Sequence, residues 1–520
     1  MSAALSLDPT PPPAGPESGR VPRRGGPVAG VVPHHRIAIL GAGFGGLGMA
    51  IRLLQSGERD LVVLERADRV GGAWRDNTYP GLQCDVASNV YSFSFAPNPS
   101  WSRAFAWGPE IQAYLEDCTD RFGVRPHVRF GAEVLGAEWR EAEQRWHITT
   151  STGELTADVL VSGHGGLSAP STPALPGLER FQGEVFHSSA WRHDVDLTGK
   201  RVAVVGTGAS AIQIIPSIQP KVGKLTVFQR TPAWIVPRID PEWSGVRRWL
   251  FRNLPLAQKL DRLRLYAFRE LVVLGMAYRP EWMRVVEGYA RKHLENQVAD
   301  PELRRKLTPD YGVGCKRILL SSDYYPAFTR PNVQLVTEAV REVRERSVVA
   351  ADGSEHEVDV LVFATGFKVA DHPIMGKIRG RDGRTLAEHW SGGAAAYLGT
   401  TVTGFPNLFV LSGPHTGIGH NSIVYMLESQ FEYVLGAVAA LRERGAAYAG
   451  VRAEVQADFV DEMQQRLGGT VWNSGCRSWY LDERGRNSIV WPTFTFSYRA
   501  RTRRFDAEAY RFEAPSAAAL

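Results

Sequence analysis

The sequence has few cysteines and no cysteine motif. Its four cysteines, Cys84, Cys118, Cys315 and Cys476, lie far apart, and no two of them form a CxxC pair. Disulfide-stapled folds and zinc sites use regularly or closely spaced cysteines, so we expect neither a disulfide framework nor a bound metal in this chain. Such cysteine usage is typical of a reducing compartment, and we predict a cytoplasmic protein.

Long apolar runs are also missing. The longest, such as residues 271–276, are far shorter than the roughly 18–20 residues that cross a bilayer, so we expect no membrane span. The first 34 residues are rich in proline, glycine and serine and lack the apolar segment of a signal peptide. We therefore predict a disordered tail over residues 1–34 and an ordered chain from Arg36 onward.

Neither sign of charge dominates, because 60 basic and 55 acidic residues give a net charge of only +5. Arginines cluster near the C-terminus, at Arg499, Arg501, Arg503 and Arg504. A solvated arginine-rich face explains this cluster better than nucleic-acid binding does. At 520 residues, with 44% hydrophobic and 22% charged residues, the chain is globular and too long for one core. Two or three domains are expected.

The most informative feature that is present is a repeated βαβ pattern. Residues 37–64 contain a short apolar strand, a glycine loop, an apolar helical pattern and a second strand. Residues 201–228 repeat the same order. Two such units predict an α/β fold with two Rossmann-like dinucleotide-binding domains.

The first glycine loop is Gly41-Ala42-Gly43-Phe44-Gly45-Gly46. Gly41 permits the tight turn, Gly43 lets the backbone approach a pyrophosphate, and Gly46 lets helix and strand pack closely. Glu65 ends the second strand, where a carboxylate would bind a ribose hydroxyl. Strand, loop, helix, strand and acid in this order favour a bound dinucleotide over a chance glycine turn.

The second loop is Gly206-Thr207-Gly208-Ala209-Ser210-Ala211, with alanine at the third small position. Arg230 and Thr231 follow its second strand, where an NAD enzyme would carry an acid. An arginine binds a 2′-phosphate that a carboxylate would repel, so we predict NADPH as the second nucleotide. The alternative for Arg230 is an ordinary surface arginine.

Between the strand-rich regions lies a stretch without strand patterns, from about Asp240 to Asp310. Its leucines and one alanine recur every three or four residues, at Leu256, Leu260, Leu263, Ala267, Leu271 and Leu274. This spacing predicts an amphipathic helix. We expect its apolar face to pack against the protein, with a partial lid over the active site as the alternative.

Two dinucleotide sites predict a redox enzyme with a flavin and a nicotinamide cofactor. Thiol–disulfide flavoenzymes share this plan, but they need a redox-active cysteine pair that no cysteine spacing here provides. The electrons must pass elsewhere, and O2 is the expected acceptor. The predicted FAD-binding domain comprises residues 35–165 and 373–520, the NADP-binding domain comprises residues 166–238 and 315–372, and the helical insertion comprises residues 239–314.

Several separate motifs resemble those of the type I Baeyer–Villiger monooxygenases, which are related to the flavin-containing monooxygenases. The matching residues are Gly71-Gly72-Ala73-Trp74, Tyr79-Pro80-Gly81 and Asp85 in the long signature, Phe181, Gly183, His187 and Trp191 in the FxGxxxHxxxW fingerprint, Lys316-Arg317 in the paired basic motif, and Ala364-Thr365-Gly366-Phe367 in the interdomain motif. Arg192 departs from the family's usual Pro or Asp after the last tryptophan. Trp191 favours the Baeyer–Villiger group, because its sister family usually carries Tyr or Phe there.

The resemblance implies that a ketone and O2 are converted to an ester or lactone through a flavin C4a-peroxide. It implies Arg317 as the catalytic residue that stabilises the peroxide and the adduct oxyanion, with Asp85 beside it. His187 has a structural role in the family. Gly413, His415 and Asn421 are expected to line the flavin, and Lys316 is expected to bind the 2′-phosphate with Arg230 and Thr231. The complete set of predicted cofactor residues is Gly41, Gly43, Phe44, Gly46, Glu65, Gly72, Trp74, Asp85, Gly206, Thr207, Gly208, Ser210, Ala211, Arg230, Thr231, Lys316 and Trp472.

Two other functions stay open at this stage. One is a flavin-containing monooxygenase that oxidises nitrogen or sulfur atoms, and the other is a redox sensor that binds both dinucleotides without turnover. Asp85, Trp191 and Arg317 together favour ketone oxidation over the first, and Asp85 with Arg317 favours turnover over the second. The expected partners are a small ketone and O2.

Overall fold

The computed structural model describes residues 32–369, 371–476, 478–482 and 484–516. Residues 1–31 of the predicted tail lie outside these ranges. The first strand begins at His34, within the predicted tail and two residues before Arg36, because His34 and His35 already pair with a neighbouring strand. The ordered chain therefore starts slightly earlier than the sequence pattern indicates.

The strands and helices follow in chain order. The strands are β1 (His34–Leu40), β2 (Leu61–Leu64), β3 (Val128–Arg129), β4 (Val134–Arg140), β5 (Arg145–Thr150), β6 (Gly153–Ser162), β7 (Glu184–His187), β8 (Arg201–Val205), β9 (Lys224–Phe228), β10 (Ile235–Val236), β11 (Leu319–Leu320), β12 (Val333–Val336), β13 (Val340–Val343), β14 (Ser347–Ala350), β15 (Glu355–Glu357), β16 (Val360–Phe363), β17 (Ile378–Arg379), β18 (Leu408–Val410), β19 (Tyr448–Val451) and β20 (Tyr510–Glu513). The helices are α1 (Phe44–Gln55), α2 (Ala73–Asp76), α3 (Gly108–Arg121), α4 (Ala211–Ile218), α5 (Gly245–Asn253), α6 (Pro255–Val273), α7 (Met283–Gln297), α8 (Pro301–Leu307), α9 (Tyr324–Phe328), α10 (Leu386–His389), α11 (Ile423–Arg444), α12 (Ala453–Leu467) and α13 (Thr495–Thr502). Within the described ranges, no helix is both long enough and apolar enough to cross a membrane.

The first sheet is centred on β1, which pairs in parallel with β2 on one side and with β6 on the other. Its strand order is β17-β4-β5-β6-β1-β2-β3, and β18 pairs with the end of β6. The apolar residues of β1 and β2 are buried, as expected for strands covered on both faces. Because β17 and β18 follow the second sheet in the chain, the C-terminal part returns to the first sheet.

The second sheet has the order β12-β9-β8-β16-β7, and all its strand pairs are parallel. β8, β9 and β16 are largely buried. The two glycine loops follow β1 and β8, at the carboxyl ends where parallel sheets bind ligands. The predicted α/β fold with two Rossmann-like units is confirmed, whereas the exact domain boundaries stay a prediction.

The predicted helical insertion is present as α5 to α8, but the expected packing of its amphipathic helix is wrong. The apolar face of α6 points to solvent, with exposed side chains at Leu256, Leu260, Leu263, Ala267 and Leu271. The opposite face, with Gln258 and Glu270, is buried. Helical spacing shows which residues share a face, but only tertiary contacts decide which face meets the protein.

The sequence analysis expected no disulfide framework, but the structure contains one disulfide. Cys315 and Cys476 form a disulfide, with Cα atoms 6.2 Å apart and a sequence separation of 161 residues. Cys84 and Cys118 are free and buried. Spacing along the chain could not reveal the bond, because folding alone brings the two cysteines together. The argument from cysteine spacing for a reducing compartment therefore fails, and cytoplasmic location stays a prediction.

Candidate active site

The first glycine loop connects β1 to α1. Gly41 has φ +90°, which favours glycine, and a Cβ at Gly46 would lie 1.8 Å from the Gly41 carbonyl oxygen. Helix and strand can therefore meet this closely only because Gly46 has no side chain. No side chain caps α1 at Gly43, so the first N–H groups of the helix remain available to an anionic ligand.

A cavity of about 370 Å³ lies over this loop. Most of the residues predicted to bind the first nucleotide line it, namely Gly41, Gly43, Phe44, Glu65, Gly72 and Trp74. A concave site that ends on a free helix N-terminus fits the diphosphate of a dinucleotide. The structure thus brings these distant sequence positions into one site.

Glu65 is buried at the end of β2, where its carboxylate stabilises the glycine loop. It accepts hydrogen bonds from the backbone N–H groups of Ala42 at 2.9 Å and Ala67 at 3.0 Å. It also forms an ion pair with Arg75 at 2.8 Å. The sequence analysis missed Arg75, although it directly follows the Gly71–Trp74 motif. Contact between Glu65 and a ribose hydroxyl stays a prediction.

The second glycine loop connects β8 to α4. Gly206 has φ +116°, and a Cβ there would lie 2.4 Å from the Ala364 carbonyl oxygen in the predicted interdomain motif. The Thr207 hydroxyl donates to the Thr231 carbonyl at 2.8 Å, which ties the loop to the residue after Arg230. A Cβ at Gly208 would meet open space, so the backbone is accessible there. Ser210 and the buried Ala211 then begin α4.

Arg230 and Lys316 form a pair of neighbouring cations near the second glycine loop. Burial lowers the pKa of Lys316, and the nearby charge of Arg230 lowers it further. The Lys316 ammonium lies 4.6 Å from the centre of the Tyr311 ring, a contact that the sequence analysis missed. Neither cation has a carboxylate at ion-pair distance in the described part of the chain. Two neighbouring cations without such a partner fit a phosphate group.

Arg317 and Asp85, which are far apart in sequence, form an ion pair. Nε of Arg317 lies 2.9 Å and Nη2 lies 2.7 Å from Oδ2 of Asp85. The charge of Asp85 raises the pKa of Arg317 above its ordinary value. Burial opposes ionisation of Asp85, but Arg317 outweighs this effect and the pKa of Asp85 is lowered. Both groups are therefore charged at neutral pH.

Two further arginines that the sequence analysis missed approach Asp85. Nη2 of Arg269, from α6, lies 3.5 Å from the Asp85 carbonyl oxygen. Arg238 donates to the Gln83 side chain, while its Nε and Nη2 are buried without a partner among the described residues. Both guanidinium groups contribute to the lowered pKa of Asp85. Arg238 is also close to Asp240 and Asp323, so the excess positive charge at Asp85 comes from Arg317 and Arg269, and it favours negative charge on a reacting oxygen.

Trp472 is another predicted cofactor residue with an unused polar atom. Its indole is buried, and Nε1 has no hydrogen-bond partner among the described residues. Leaving a buried N–H unpaired costs about 1–3 kcal/mol. A cofactor oxygen that accepts this hydrogen bond would remove that cost.

The residues after β18 that are predicted to line the flavin, Gly413, His415 and Asn421, are not among those that line the cavity over the first glycine loop, and their contact with the flavin stays a prediction. The His415 ring is fully buried and lies 3.4 Å from the Val490 carbonyl oxygen, and Asn421 donates to Glu270 at 2.7 Å. The cavity over the first loop is lined at this end by Leu411, Ser412 and Ile423 instead. The segment after β18 thus lines the cavity, but through residues adjacent to the predicted ones.

The FxGxxxHxxxW fingerprint has structural contacts. Nδ1 of His187 bonds to the Ser189 hydroxyl at 2.8 Å, and its ring meets Phe367 edge-on with centroids 5.7 Å apart. Trp191 packs edge-on against Phe186 at 5.1 Å. These contacts join the fingerprint to the interdomain motif, which agrees with a structural role for His187.

Comparisons with known proteins identify the family of this chain. The family described as flavin-binding monooxygenase-like matches residues 34–251. A Baeyer–Villiger monooxygenase of Streptomyces coelicolor is 52% identical over 495 residues, covering 93% of this chain and 94% of the relative. A closed cyclohexanone monooxygenase structure is 29% identical with a TM-score of 0.83, and OTEMO in complex with FAD and NADP is 28% identical with a TM-score of 0.84; each covers 93% of this chain and 100% of its own. The chain therefore belongs to the Baeyer–Villiger monooxygenases.

Proposed function

We propose that this protein uses FAD and NADPH to insert one oxygen atom of O2 into a ketone. A ketone, O2, NADPH and one proton give an ester or lactone, NADP⁺ and water. Family membership and the two dinucleotide loops support the cofactors. The observation that carries the residue-level proposal is the Arg317–Asp85 ion pair.

The residues around the Arg317–Asp85 pair support a location of this pair between the two nucleotide sites. Burial raises the pKa of Tyr91 and the nearby charge of Asp85 raises it further, and Tyr91 lines the cavity over the first glycine loop. Burial raises the pKa of Tyr79 and the nearby charge of Asp85 raises it further, and the Tyr79 hydroxyl donates at 3.3 Å to Gln213 of α4, the helix that follows the second loop. Asp85 therefore has a neighbour at each loop, as expected for a residue that acts where two cofactors meet.

Arg317 is the catalytic residue of this proposal. Bound FAD, once reduced by NADPH, supplies the activation of O2. Arg317 stays charged at any working pH and stabilises the negative charge that develops on the substrate carbonyl oxygen. Asp85 contacts Nε and Nη2 of Arg317, which leaves Nη1 free to donate to the reacting oxygen.

The choice of NADPH rests on Arg230, Thr231 and Lys316. A guanidinium and an ammonium close to each other bind a 2′-phosphate through charge-assisted hydrogen bonds that NADH cannot form. The hydrogen bond from Thr207 holds the backbone of Thr231 in place for this contact. Lys316 precedes Arg317 directly, so binding of the phosphate and positioning of the catalytic guanidinium share one segment.

The test is NADPH consumption in air by the FAD-loaded protein with a panel of cyclic, aryl, steroid and linear ketones and one sulfide. Mass spectrometry identifies the products. We expect an ester or lactone that carries one added oxygen atom and NADPH loss in equal amount. Sulfoxide formation with every ketone returned unchanged would assign the protein to heteroatom oxidation, and NADPH binding without any turnover would indicate a sensor.

A further inference from the structure

Helix α6 attaches to the protein through its polar face. Nε2 of Gln258 donates to Asn89 at 2.9 Å and to the Asn98 carbonyl at 2.7 Å. Arg262 donates to the Asn89 carbonyl at 2.6 Å. Near the end of the helix, Glu270 accepts hydrogen bonds from neighbouring elements. Hydrogen bonds and buried charges, together with Leu265 and Tyr266 packed against the core, therefore hold this helix in place.

The apolar face of α6 is left uncovered. The exposed fractions are 67% for Leu256, 57% for Leu260, 60% for Leu263, 69% for Phe268 and 62% for Leu271. These side chains span about 22 Å along the helix at 1.5 Å per residue. Val246 and Trp249 of α5, which packs against α6, are exposed as well. We call these seven residues the α5–α6 apolar face. Seven exposed apolar side chains on two neighbouring helices are typical of an interaction site.

Positive charge surrounds this face. Arg252, Lys259 and Arg264 are exposed on the same two helices. Residues 245–273, all of which the structure describes, carry two acids, Asp261 and Glu270, and neither is exposed. The Asp261 carboxylate forms ion pairs with Arg247 and Arg264, so the exposed cations of these helices that have no such partner among the described residues are Arg252 and Lys259. The solvent side of α5 and α6 is thus apolar and basic, without exposed carboxylates.

This combination selects the partner. Leucine, phenylalanine and tryptophan on one side of a helix, with flanking lysine and arginine, is the pattern of helices that lie in a membrane interface. Anionic headgroups complement the cations, while the apolar side chains enter the acyl boundary. A second copy of this chain would instead bring the same cations against each other, and like charges oppose such a contact.

We propose that α5 and α6 dock this enzyme reversibly on the surface of an anionic lipid bilayer. The α5–α6 apolar face enters the headgroup region, and the two nucleotide-binding sheets stay in water. The inner face of α6 carries Arg269 beside Asp85, so docking would bring the lipid surface close to the proposed active site.

Vesicle co-sedimentation of the FAD-loaded enzyme tests this proposal. Wild type should sediment with vesicles of phosphatidylcholine and phosphatidylglycerol but not with pure phosphatidylcholine, and high salt should release it. The Leu260→Ser/Leu263→Ser variant should bind anionic vesicles about tenfold more weakly or worse. Leu135→Ser changes an exposed leucine on β4 of the first sheet and should bind like wild type.

Several outcomes would overturn the proposal. Wild type could remain in the supernatant with both vesicle types, or the double variant could sediment as well as wild type. Light scattering could also show a wild-type dimer that the double substitution separates, and then a second copy covers the face. Because the substituted leucines are exposed, FAD content and NADPH oxidation in solution should be unchanged in all variants. Vesicle binding is thus judged independently of the proposed reaction.

Discussion

Replacing Arg317 by alanine, alone and together with Asp85, separates the catalytic role of the Arg317–Asp85 pair from its structural role. Removing one well-placed donor to a developing oxyanion typically costs about 3–4 kcal/mol, or roughly 100- to 1000-fold in kcat. We expect ester formation to fall by this amount in Arg317→Ala. The assay is single-substrate turnover of the FAD-loaded protein with product quantified by mass, since NADPH loss alone could continue without product.

The same substitution should also destabilise the fold. It leaves the Asp85 carboxylate without its main partner, and the two side chains are only 31% and 23% exposed. We expect a cost of about 2 kcal/mol, between the values for exposed and for buried pairs. Arg317→Ala/Asp85→Ala removes the unpaired charge, so its thermal midpoint should recover toward wild type while its ester formation stays low.

Two results would refute this reasoning. If Arg317→Ala forms ester at more than about a third of the wild-type rate, Arg317 is not the group that stabilises the transition state. If the double variant is no more stable than the single one, the buried charge of Asp85 does not need Arg317 to balance it. Arg503→Ala, which removes an exposed arginine from the C-terminal cluster, is the control and should match wild type in both assays.

The pH dependence of the pair follows from its pKa shifts. The pKa of Asp85 is lowered in the folded protein, so its contribution to stability is present above the unfolded pKa and is lost as pH falls through the lowered value. The pKa of Arg317 is raised, so its charge persists on the alkaline side. Between about pH 5 and 10, neither group titrates. In Arg317→Ala the burial of Asp85 is no longer outweighed by Arg317, so the pKa of Asp85 rises in the variant. The stability difference between wild type and Arg317→Ala should therefore be constant at alkaline pH and shrink as pH falls through this raised pKa, as measured by thermal melting.

Three further variants test other parts of the structure. Arg230→Ala should raise the KM for NADPH about tenfold while changing that for NADH little, because only NADPH carries the 2′-phosphate; equal effects on both would contradict the assigned site. Arg75→Ala leaves the Glu65 carboxylate unpaired under the first glycine loop and should increase FAD loss during gel filtration, whereas full retention would show that the ion pair is dispensable. A thiol titration of the denatured, unreduced protein should find two free thiols in wild type and three in Cys315→Ser, whereas four thiols in wild type would contradict the Cys315–Cys476 bond. Loss of the cross-link should also lower the free energy of unfolding of Cys315→Ser by about 2–4 kcal/mol, so this variant should melt at a lower temperature.

The local parts of this protein could be predicted from the sequence. Each βαβ unit is continuous in the chain. The local backbone of each unit requires glycine at specific positions, as at Gly41, Gly46 and Gly206. Glu65 and Arg230 were found for the same reason, because they lie at the ends of strands that the apolar pattern reveals. The family motifs added Arg317 and Asp85 as candidates and implied that they lie side by side, and the structure supplies the ion pair and its distances.

The tertiary structure decided everything that depends on long-range contact. It joins Arg317 to Asp85 across 232 residues and Cys315 to Cys476 across 161, and it brings Arg269 to the same site from the helical insertion. It also turns the leucines of α6 outward. Sequence periodicity reports the relative order of side chains around an element, whereas the direction in which the element faces depends on the free energy of all its contacts with the rest of the chain.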